Sequence, residues 1–370
     1  MAFLSGFLLI DAPASALNNA DTVLNRQKKN DNEVGVKLIK SGGQTYPYIS
    51  SQAFRYWLRD TLSQNSDWQA HTAPVFRDSK GAYTDANPIK YWDDDLFGYM
   101  RAEGQKTSAK AKREEQAEER TIATEIVNAK AVTRTSPFRV GTFVSLAPSS
   151  ITEDFGTMSR TGPNMQEGDP VPHSHQFYRA VFKGQLSLDL GRAGLFTYTG
   201  KAGNQNLDDV RRGQADAEGL EHLPGQKAYR LSREERTRRI APLIRGLAEL
   251  RGGAKQALHY TDVTPAAVLL VVTKGGNNPL QYVVGAGEQG QPRVNVDALK
   301  ETVRAWRDTF LSPVYVGWTA GFHDAEREKL RAALEELRAE GVDFVLEHPR
   351  TVLGRVADDL SGNAGAQWLD

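Results

Sequence analysis

The order of the apolar segments constrains the fold of this chain more than any other feature of its sequence. Segments with strand or helix spacing follow one another as strand, helix, strand, strand, helix, strand: residues 3–10, 50–62, 138–146, 177–190, 233–252 and 266–273. Segment 177–190 alternates apolar and polar residues, which is typical of a half-buried strand. Segment 266–273 is almost continuously apolar, which is typical of a central strand. The chain is therefore predicted to be an α+β protein.

The two helices have clear local signals. Ser50 or Ser51 is a suitable N-cap for a helix that ends at Leu62. Its inward face at helical spacing consists of Phe54, Trp57, Leu58 and Leu62. The second helix places five apolar residues inward: Ile240, Leu243, Ile244, Leu247 and Leu250. The βαββαβ order is that of the ferredoxin-like fold, to which the RNA-recognition motif belongs. A helix over 294–311, a strand over 314–318 and a helix over 324–340 are predicted to follow.

Two long stretches interrupt this order. Between residues 66 and 131, scattered aromatic residues lie among turn residues, and a charged tract over 102–119 has almost no large apolar side chains. Such a tract buries too little apolar surface to order itself firmly, so we predict an inserted subdomain with a mobile charged loop. Residues 147–175 are rich in Gly, Pro, Ser and Asp and join two strands, which predicts a projecting hairpin.

Composition excludes several kinds of protein. The chain has no cysteine, so disulfides, thiolate nucleophiles and Cys-ligated zinc are excluded. No run of residues approaches the roughly 20 apolar residues that cross a bilayer. Residues 1–10 have no Lys or Arg before their apolar stretch and no small-residue cleavage site, so they are not expected to be a signal peptide. A cytoplasmic protein without a membrane partner is predicted.

The net charge of zero argues against a polyanion partner, because proteins that bind nucleic acids are usually basic. The distribution of the charges is more informative than their sum. Residues 26–40 hold five basic and two acidic side chains, residues 227–255 hold nine and three, and residues 321–370 hold six and eleven. This segregation is compatible with one cationic face for a polyanion and an acidic face that meets another copy. Solvated helix faces are the alternative interpretation.

Several blocks of the sequence resemble the DevR-type branch of the Cas seven family, the guide-RNA backbone subunit of type I-B CRISPR effector complexes (Cascade). The blocks appear in family order over about the first half of the chain: Leu9–Asn19, Asp31–Lys37, Thr45–Trp57, Arg134–Pro137, His175–Tyr178 and Gly184–Asp189. The segment Tyr46–Arg59 carries the most specific of these motifs. The second half of the chain agrees with the family in the order of its elements and offers few motif residues.

The resemblance implies a hand-like protein that takes part in antiviral defence. Its palm would have an RNA-recognition-motif fold, with an inserted finger subdomain and a projecting thumb hairpin. Mapped onto this chain, the palm covers residues 1–65, 132–149 and 175–320, the fingers 66–131 and the thumb 150–174, and a C-terminal helix and acidic tail cover 321–370. No cofactor and no enzymatic activity are expected.

The partners that the resemblance implies follow from this role. Copies of the chain would form a helical filament along the guide RNA (crRNA), which the thumbs would kink at intervals. The bases would then be free to pair with a target DNA strand. Other Cascade subunits would complete the complex: the large subunit, the cap subunit and the crRNA-processing endonuclease.

A protein that accepts any guide sequence should bind the RNA backbone and leave the base edges free. Cationic side chains, polar groups at helix N-termini and contacts to 2′-hydroxyls supply such binding. The predicted RNA-binding residues are Asn18, Asn19, Arg26, Lys28, Lys29, Lys37, Lys40, Ser51, Gln52, Arg55, Arg59, Arg160, His175 and Lys274. For Arg55 and Arg59, the alternative is a surface salt bridge to Asp60 or Glu33.

The thumb segment contains three apolar side chains that could wedge between stacked bases: Phe155, Met158 and Met165. The alternative is a small apolar cluster that holds the hairpin to itself or to a neighbouring copy.

Other motifs admit different chemistry. His173 and His175 lie on one face of a strand and could bind a metal, but a third ligand is not evident, and a hydrogen-bonding role for His175 is favoured. Lys274–Asn278 lacks the pattern of a phosphate-binding P-loop and is predicted to be a plain loop.

A metal-dependent RNase on the same fold would use Asp93–Asp95 or Asp31. A transcriptional regulator is a third hypothesis, although no helix-turn-helix or basic-zipper pattern supports it.

Overall fold

The computed structural model describes residues 1–20, 33–78, 81–101, 131–158, 171–200 and 203–370. The strands of the first part are β1 Ala2–Ser15, β2 Asn19–Ala20, β3 Glu33–Val36, β4 Leu38–Ser41, β5 Gln44–Ile49, β6 Val75–Asp78, β7 Gly81–Thr84 and β8 Tyr99–Arg101. The helices of this part are α1 Ser51–Leu62, α2 Ser66–Ala70 and α3 Trp92–Phe97.

The middle part contains the longest strand. Its strands are β9 Val132–Arg134, β10 Phe138–Val140, β11 Phe143–Ser145, β12 Ile151–Met158, β13 Val171–Asp189, β14 Leu195–Thr197, β15 Glu221–Leu223 and β16 Ala228–Arg230. Its helices are α4 Asp209–Ala217 and α5 Arg233–Ala248.

The last part alternates strands and helices. Its strands are β17 Ala267–Lys274, β18 Val284–Ala286, β19 Pro292–Val294, β20 Val314–Trp318 and β21 Phe344–Glu347. Its helices are α6 Val296–Trp306, α7 Asp324–Ala339, α8 Pro349–Ser361 and α9 Asn363–Leu369. Within the described ranges, no helix is long and apolar enough to cross a bilayer.

One large sheet, formed by twelve of the described strands, organises the molecule. Its main path runs β21-β20-β17-β1-β13-β11-β5-β4, and β10 and β12 also pair with β13. β1 is antiparallel to both β13 and β17, with Phe3 opposite Asp189 and Leu4 opposite Val272. The predicted mixed α+β architecture is confirmed, and the apolar 266–273 segment is indeed central.

Two helical layers cover the two faces of this sheet. Alternate residues of β1 point to opposite sides, so that Leu8 and Phe7 belong to different apolar cores. The core with Leu8 is closed by α1, α5, α8 and α9, and we call this side of the sheet the α1 face. The core with Phe7 is closed by α6 and α7, and we call this side the α6 face.

The predicted helices are confirmed, although α5 ends at Ala248 and α6 at Trp306, whereas the predicted strand 138–146 is split. Segment 138–146 forms β10 and β11, because one extra residue between Val140 and Val144 shifts the register with β13. The ring of Phe143 lies against Gly184, where a Cβ would approach to 2.3 Å. Segment 34–39 divides at Lys37, because β3 pairs with β13 and β4 pairs with β5.

The C-terminal region is more ordered than an acidic tail. After α7 the chain forms β21, α8 and α9, and α8 packs against α5. Leu353 and Trp368 are buried, and Trp368 Nε1 donates to the Leu311 carbonyl at 3.1 Å. Many of the acidic side chains of this region lie beside basic ones, as in Glu328 with Arg331 at 2.6 Å. The acidic excess read from the sequence is thus partly neutralised within the protein.

Residues 66–101 pack against a second excursion of the chain, over residues 190–231. That excursion contains α4 and the sheet β14-β16-β15, and its apolar cluster includes Ile89 from the first stretch. Buried ion pairs join the two stretches: Arg101 with Asp208 at 2.8 Å and Arg211 with Asp85 at 2.7 Å. No motif in the sequence predicted that these two stretches contact each other. The 102–119 tract, predicted to be mobile, lies outside the described residues.

Asp95 connects the insertion to the body of the protein. Its side chain is fully buried, and its carboxylate contacts Arg134 and, at 3.1 Å, Arg239. The Gly194 amide also donates to it at 3.1 Å. One carboxylate therefore neutralises two buried guanidinium groups that are distant in sequence.

Replacing Asp95 should destabilise the protein strongly. Asp95→Ala leaves the buried Arg134 without its anionic partner and Arg239 with only Glu235, which lies 3.0 Å away, so we expect the free energy of unfolding to fall by about 3–5 kcal/mol. Asp358→Ala removes the exposed partner of Arg245, which lies 2.6 Å away, and should cost at most about 1 kcal/mol. Urea denaturation of both variants tests this, and equal costs would contradict the role assigned to Asp95.

Candidate nucleic-acid interface

The N-terminus of α1 lies at one end of the large sheet, next to the end of β1. Asn18 Oδ1 accepts a hydrogen bond from the Ser50 amide at 2.9 Å, and the Asn18 carbonyl accepts one from the Lys37 amide at 2.9 Å. Three parts of the chain that the sequence analysis selected are thereby brought together: Asn18, Lys37 and the start of the helix. Asn19 is exposed beside them on β2.

The first turn of α1 retains hydrogen-bond donors. Ser50 is the N-cap, and its Oγ accepts from the Ala53 amide at 3.2 Å. Within the described residues, the amides of Ser51 and Gln52 have no acceptor, as expected for the first positions of a helix. The Gln52 side chain is exposed. Free amides and the positive end of the helix dipole suit a phosphate oxygen.

In the segment predicted to be the thumb, β12 pairs antiparallel with the first part of β13. The two strands pair from Ile151 opposite Tyr178 to Met158 opposite Val171. The Phe155 side chain is 71% exposed and lies opposite Ser174. Ser174 and Tyr178 point to the same face, because alternate residues of a strand share a face. Tyr178 belongs to the core that α1 closes, so Phe155 also lies on the α1 face. The exposed ring and the α1 N-terminus therefore share one face at one end of the sheet.

His175 lies on the opposite face, inside a stack of rings. It is only 6% exposed, and its Nε2 is 3.3 Å from Asp154 Oδ2. Its ring is 5.5 Å from that of His173 and 5.4 Å from that of His259. Burial, and next the proximity of His175, lower the pKa of His259. The predicted hydrogen bond of His175 and its contact with RNA both stay predictions.

Arg55 and Arg59 have different partners from those expected. The Arg55 guanidinium donates to the carbonyls of Phe97 and, at 3.2 Å, Phe138, and burial lowers its pKa to about 10, with a smaller contribution from Arg59. The Arg59 guanidinium lies 4.3 Å from the centre of the Phe97 ring. Both side chains thus connect α1 to α3 instead of forming a surface salt bridge with Asp60. Their contact with RNA is untested, and Arg55 already has two intramolecular acceptors.

The other predicted residues are more widely placed. Lys40 is exposed on β4, close in sequence to Lys37. Lys274 is exposed opposite Ala2, at the far end of β1 from Ser15, so about 40 Å of strand separates it from the α1 N-terminus. Met158 ends β12. The remaining ones lie outside the described residues: Arg26, Lys28, Lys29, Arg160 and Met165, together with Asp31.

The carboxylates of Asp93–Asp95 are buried and used within the fold. Asp93 Oδ1 accepts from the Ala73 amide at 2.8 Å, and Asp94 accepts from the Thr84 hydroxyl at 2.6 Å and the Asn87 amide at 2.9 Å. Across the described parts of the chain, no three His, Asp or Glu side chains are arranged to hold a metal ion. The three carboxylates are therefore used in hydrogen bonds and ion pairs of the fold.

A loop that no predicted motif marked borders the same end of the sheet. Residues 249–266 cross the end of β1: Gly252 lies against Trp57 on the α1 face, and the His259 ring stacks 4.9 Å from Phe177 on the α6 face. Ser15 and Thr261 share a hydroxyl hydrogen bond of 2.5 Å. Tyr260 is 79% exposed. The Gly252-Gly253 pair was the available signal, since both residues have positive φ and approach other side chains closely.

Comparison with solved structures shows a shared fold. A chain described as "CRISPR RNA-guided surveillance complex" superposes with a TM-score of 0.51 at 12% identity, over 96% of this chain and 98% of that one. A second, described as "CRISPR RNA-guided surveillance complex, pre-nicking", gives a TM-score of 0.49 at 12% identity, over 96% and 99%. The protein therefore has the fold of a chain from an RNA-guided CRISPR complex. No curated protein sequence matches this chain.

Residues 10–286 match the model of the family described as "CRISPR-associated negative auto-regulator DevR/Csa2". This match covers well over half of the chain. The protein belongs to the DevR/Csa2 family of CRISPR-associated proteins, and the resemblance found in its sequence blocks is confirmed.

The buried Asp94 should make the stability of the protein depend on pH. Burial, and next the charge of Asp93, raise the pKa of Asp94 to about 7 from its usual 3.8. A raised carboxyl pKa stabilises the folded state below pH 3.8, and this stabilisation is lost as the pH rises through about 7. Asp94→Asn cannot ionise, so the wild type should gain stability relative to the variant as the pH falls from 8 to 5. Urea denaturation at several pH values checks this, and a constant difference would contradict it.

Proposed function

We propose that this protein is a structural RNA-binding backbone subunit of a type I-B CRISPR surveillance complex. Copies of it assemble along a guide RNA, bind the ribose-phosphate backbone and leave the bases to pair with a target DNA strand. The observation that carries the proposal is the placement of the α1 N-terminus and the exposed Phe155 ring on one face at one end of the sheet. Family membership and the shared fold support it.

The order of the central strands supports an RNA-recognition-motif palm. In chain order, the elements β1, α1, β11, β13, α5 and β17 form a βαββαβ unit. In the sheet these strands are adjacent as β17-β1-β13-β11, which is the fourth, first, third and second strand of the unit. This is the strand order of the ferredoxin-like fold, which RNA-recognition motifs share. The palm comprises residues 1–65, 132–149 and 175–320 apart from its insertions.

The fingers extend over residues 66–131. They also include the 190–231 excursion, because residues 85–101 contact it. The buried pairs Arg101–Asp208 and Arg211–Asp85 support this addition, because they join the two stretches away from the large sheet. The thumb is the 150–174 hairpin. Its Phe155 ring enters the RNA strand and separates two stacked bases, a step that backbone contacts elsewhere must offset.

Electrostatics provide a sharp test of the helix N-terminus. Gln52→Glu places a carboxylate in the first turn of α1, where it stabilises the helix but repels a phosphate. We expect guide-RNA affinity to fall about fivefold, which corresponds to roughly 1 kcal/mol. Gln64→Glu is the matched control, since it adds the same charge beyond the other end of α1, about 18 Å away.

Fluorescence anisotropy with a labelled guide RNA over a range of salt concentrations measures both effects. The wild type should bind RNAs of different sequence alike, and its affinity should fall steeply with salt, because phosphate contacts release counterions. Equal affinities of the Gln52→Glu and Gln64→Glu variants would remove α1 from the interface. Preference for one promoter duplex over single-stranded RNA would favour a regulator instead.

A metal-dependent RNase is the alternative function on the same fold. The only candidate carboxylate that the sequence analysis left to it, Asp31, lies outside the described residues, and Asp93–Asp95 are committed to the fold. Cleavage of a complementary RNA that stops in Asp31→Ala would establish this alternative.

The proposed assembly further includes the large subunit, the cap subunit and the crRNA-processing endonuclease.

A further inference from the structure

A groove of about 680 Å³ lies on the α6 face of the sheet, away from the interface described above. Its floor is formed by β10 and β13, and its walls by the loop after β17 and the end of α6. The side chains that give it its chemistry are Arg139, Gln185, Asn277, Asn278, Gln281 and Trp306. Along β13, Gln185 is ten residues from His175, which corresponds to about 33 Å.

The charge of the groove favours an anion. The Arg139 side chain is half-exposed, whereas its neighbour Asp189, at 4.0 Å, is only 3% exposed. The Asp189 carboxylate is turned inward and also accepts a hydrogen bond from the Arg192 amide at 3.0 Å. Among the described residues that line the groove, none carries a carboxylate. The guanidinium is therefore the charge that a ligand in the groove would meet.

Amide side chains give the groove donors and acceptors together. Gln185 Nε2 and Gln281 Oε1 are 3.4 Å apart, so their mutual hydrogen bond is long and readily exchanged for one to a ligand. Asn278 is held more firmly, since its Nδ2 donates to the Gly6 carbonyl at 3.0 Å. An amide can present either a donor or an acceptor to the edge of a base, so such a set accepts different bases.

Trp306 supplies a flat apolar surface at the edge of the groove. It is the last residue of α6 and is partly exposed. The other five tryptophans of the chain are buried to 5% exposure or less: Trp57, Trp68, Trp92, Trp318 and Trp368. Stacking of a base on an aromatic side chain contributes binding without sequence preference.

We propose that this groove is a second nucleic-acid site, which binds one or two nucleotides of a single strand other than the guide RNA. Arg139 contacts a phosphate, Trp306 stacks on a base, and the amides of Gln185, Gln281 and Asn277 contact base edges. The face of the sheet is the surface that RNA-recognition motifs commonly offer to single strands. The site is on the other face from the α1 N-terminus, so both sites can be occupied together. The proposal does not depend on the function proposed for that N-terminus.

Tryptophan emission reports on this groove directly, because Trp306 is the partly exposed tryptophan. Titration of the full-length protein with a ten-residue oligodeoxythymidine at low salt should quench the emission in a saturable way. Trp306→Phe should abolish the change in emission while the oligonucleotide still binds, as measured by its anisotropy. Emission that stays constant while anisotropy shows saturated binding would overturn the proposal.

Matched variants separate this site from others on the protein. Arg139→Ala should raise the midpoint of the quenching titration at least severalfold. Arg350→Ala should leave the midpoint unchanged, because Arg350 is exposed on α8 and paired with Glu249 at 2.7 Å. Gln52→Glu should also leave it unchanged, which distinguishes failure of this proposal from failure of the guide-RNA interface. An unaltered midpoint in Arg139→Ala would contradict the assignment, provided the emission of the buried tryptophans confirms folding.

Discussion

The pairing of β1 with β13 is the constraint on which the rest of the structure depends. The two strands run antiparallel from Phe3 opposite Asp189 to Ser15 opposite Tyr178, and β13 then continues to Val171 as one arm of the hairpin. A single strand thus belongs both to the buried sheet and to the projecting arm. Because its inner part is fixed by β1, the position of Phe155 relative to α1 is set by the sheet and not by a loop. This fixed position is what the proposed kinking of an RNA strand at α1 requires.

The two faces of this sheet expose different chemical groups. The α1 face buries the larger core and carries the helix N-terminus and Phe155 at its end. The α6 face is covered by α6 and α7 over β17 and β20 and leaves polar residues of β10 and β13 at the groove. Neutral overall charge is compatible with nucleic-acid binding in such a molecule, because the acidic residues of α7 are largely paired with basic neighbours. Backbone amides at a helix start also bind phosphate without adding net charge.

Local signals predicted the parts of the fold that local chemistry determines. The Ser50 cap, the inward face of α1 and the apolar β17 were found because each is written in a few consecutive residues. The partners of Arg55 were missed because Phe97 and Phe138 are 42 and 83 residues away. The ion pairs of Asp95 were missed for the same reason, since its partner Arg239 is 144 residues away. In the sequence, Asp93–Asp95 therefore looked like a metal site, whereas in the fold Asp95 is the centre of an ion-pair cluster. The groove brings together β10, β13 and the end of α6, which no short motif links.

The central claim is that one face of the sheet holds the RNA backbone while its hairpin separates the bases. An electron-microscopy reconstruction of the protein assembled on guide RNA tests it most directly. We expect a phosphate within hydrogen-bond distance of the Ser51 and Gln52 amides, and the Phe155 ring against a base displaced from its stack. RNA that runs elsewhere, with the α1 N-terminus covered by protein or facing solvent, would contradict the account.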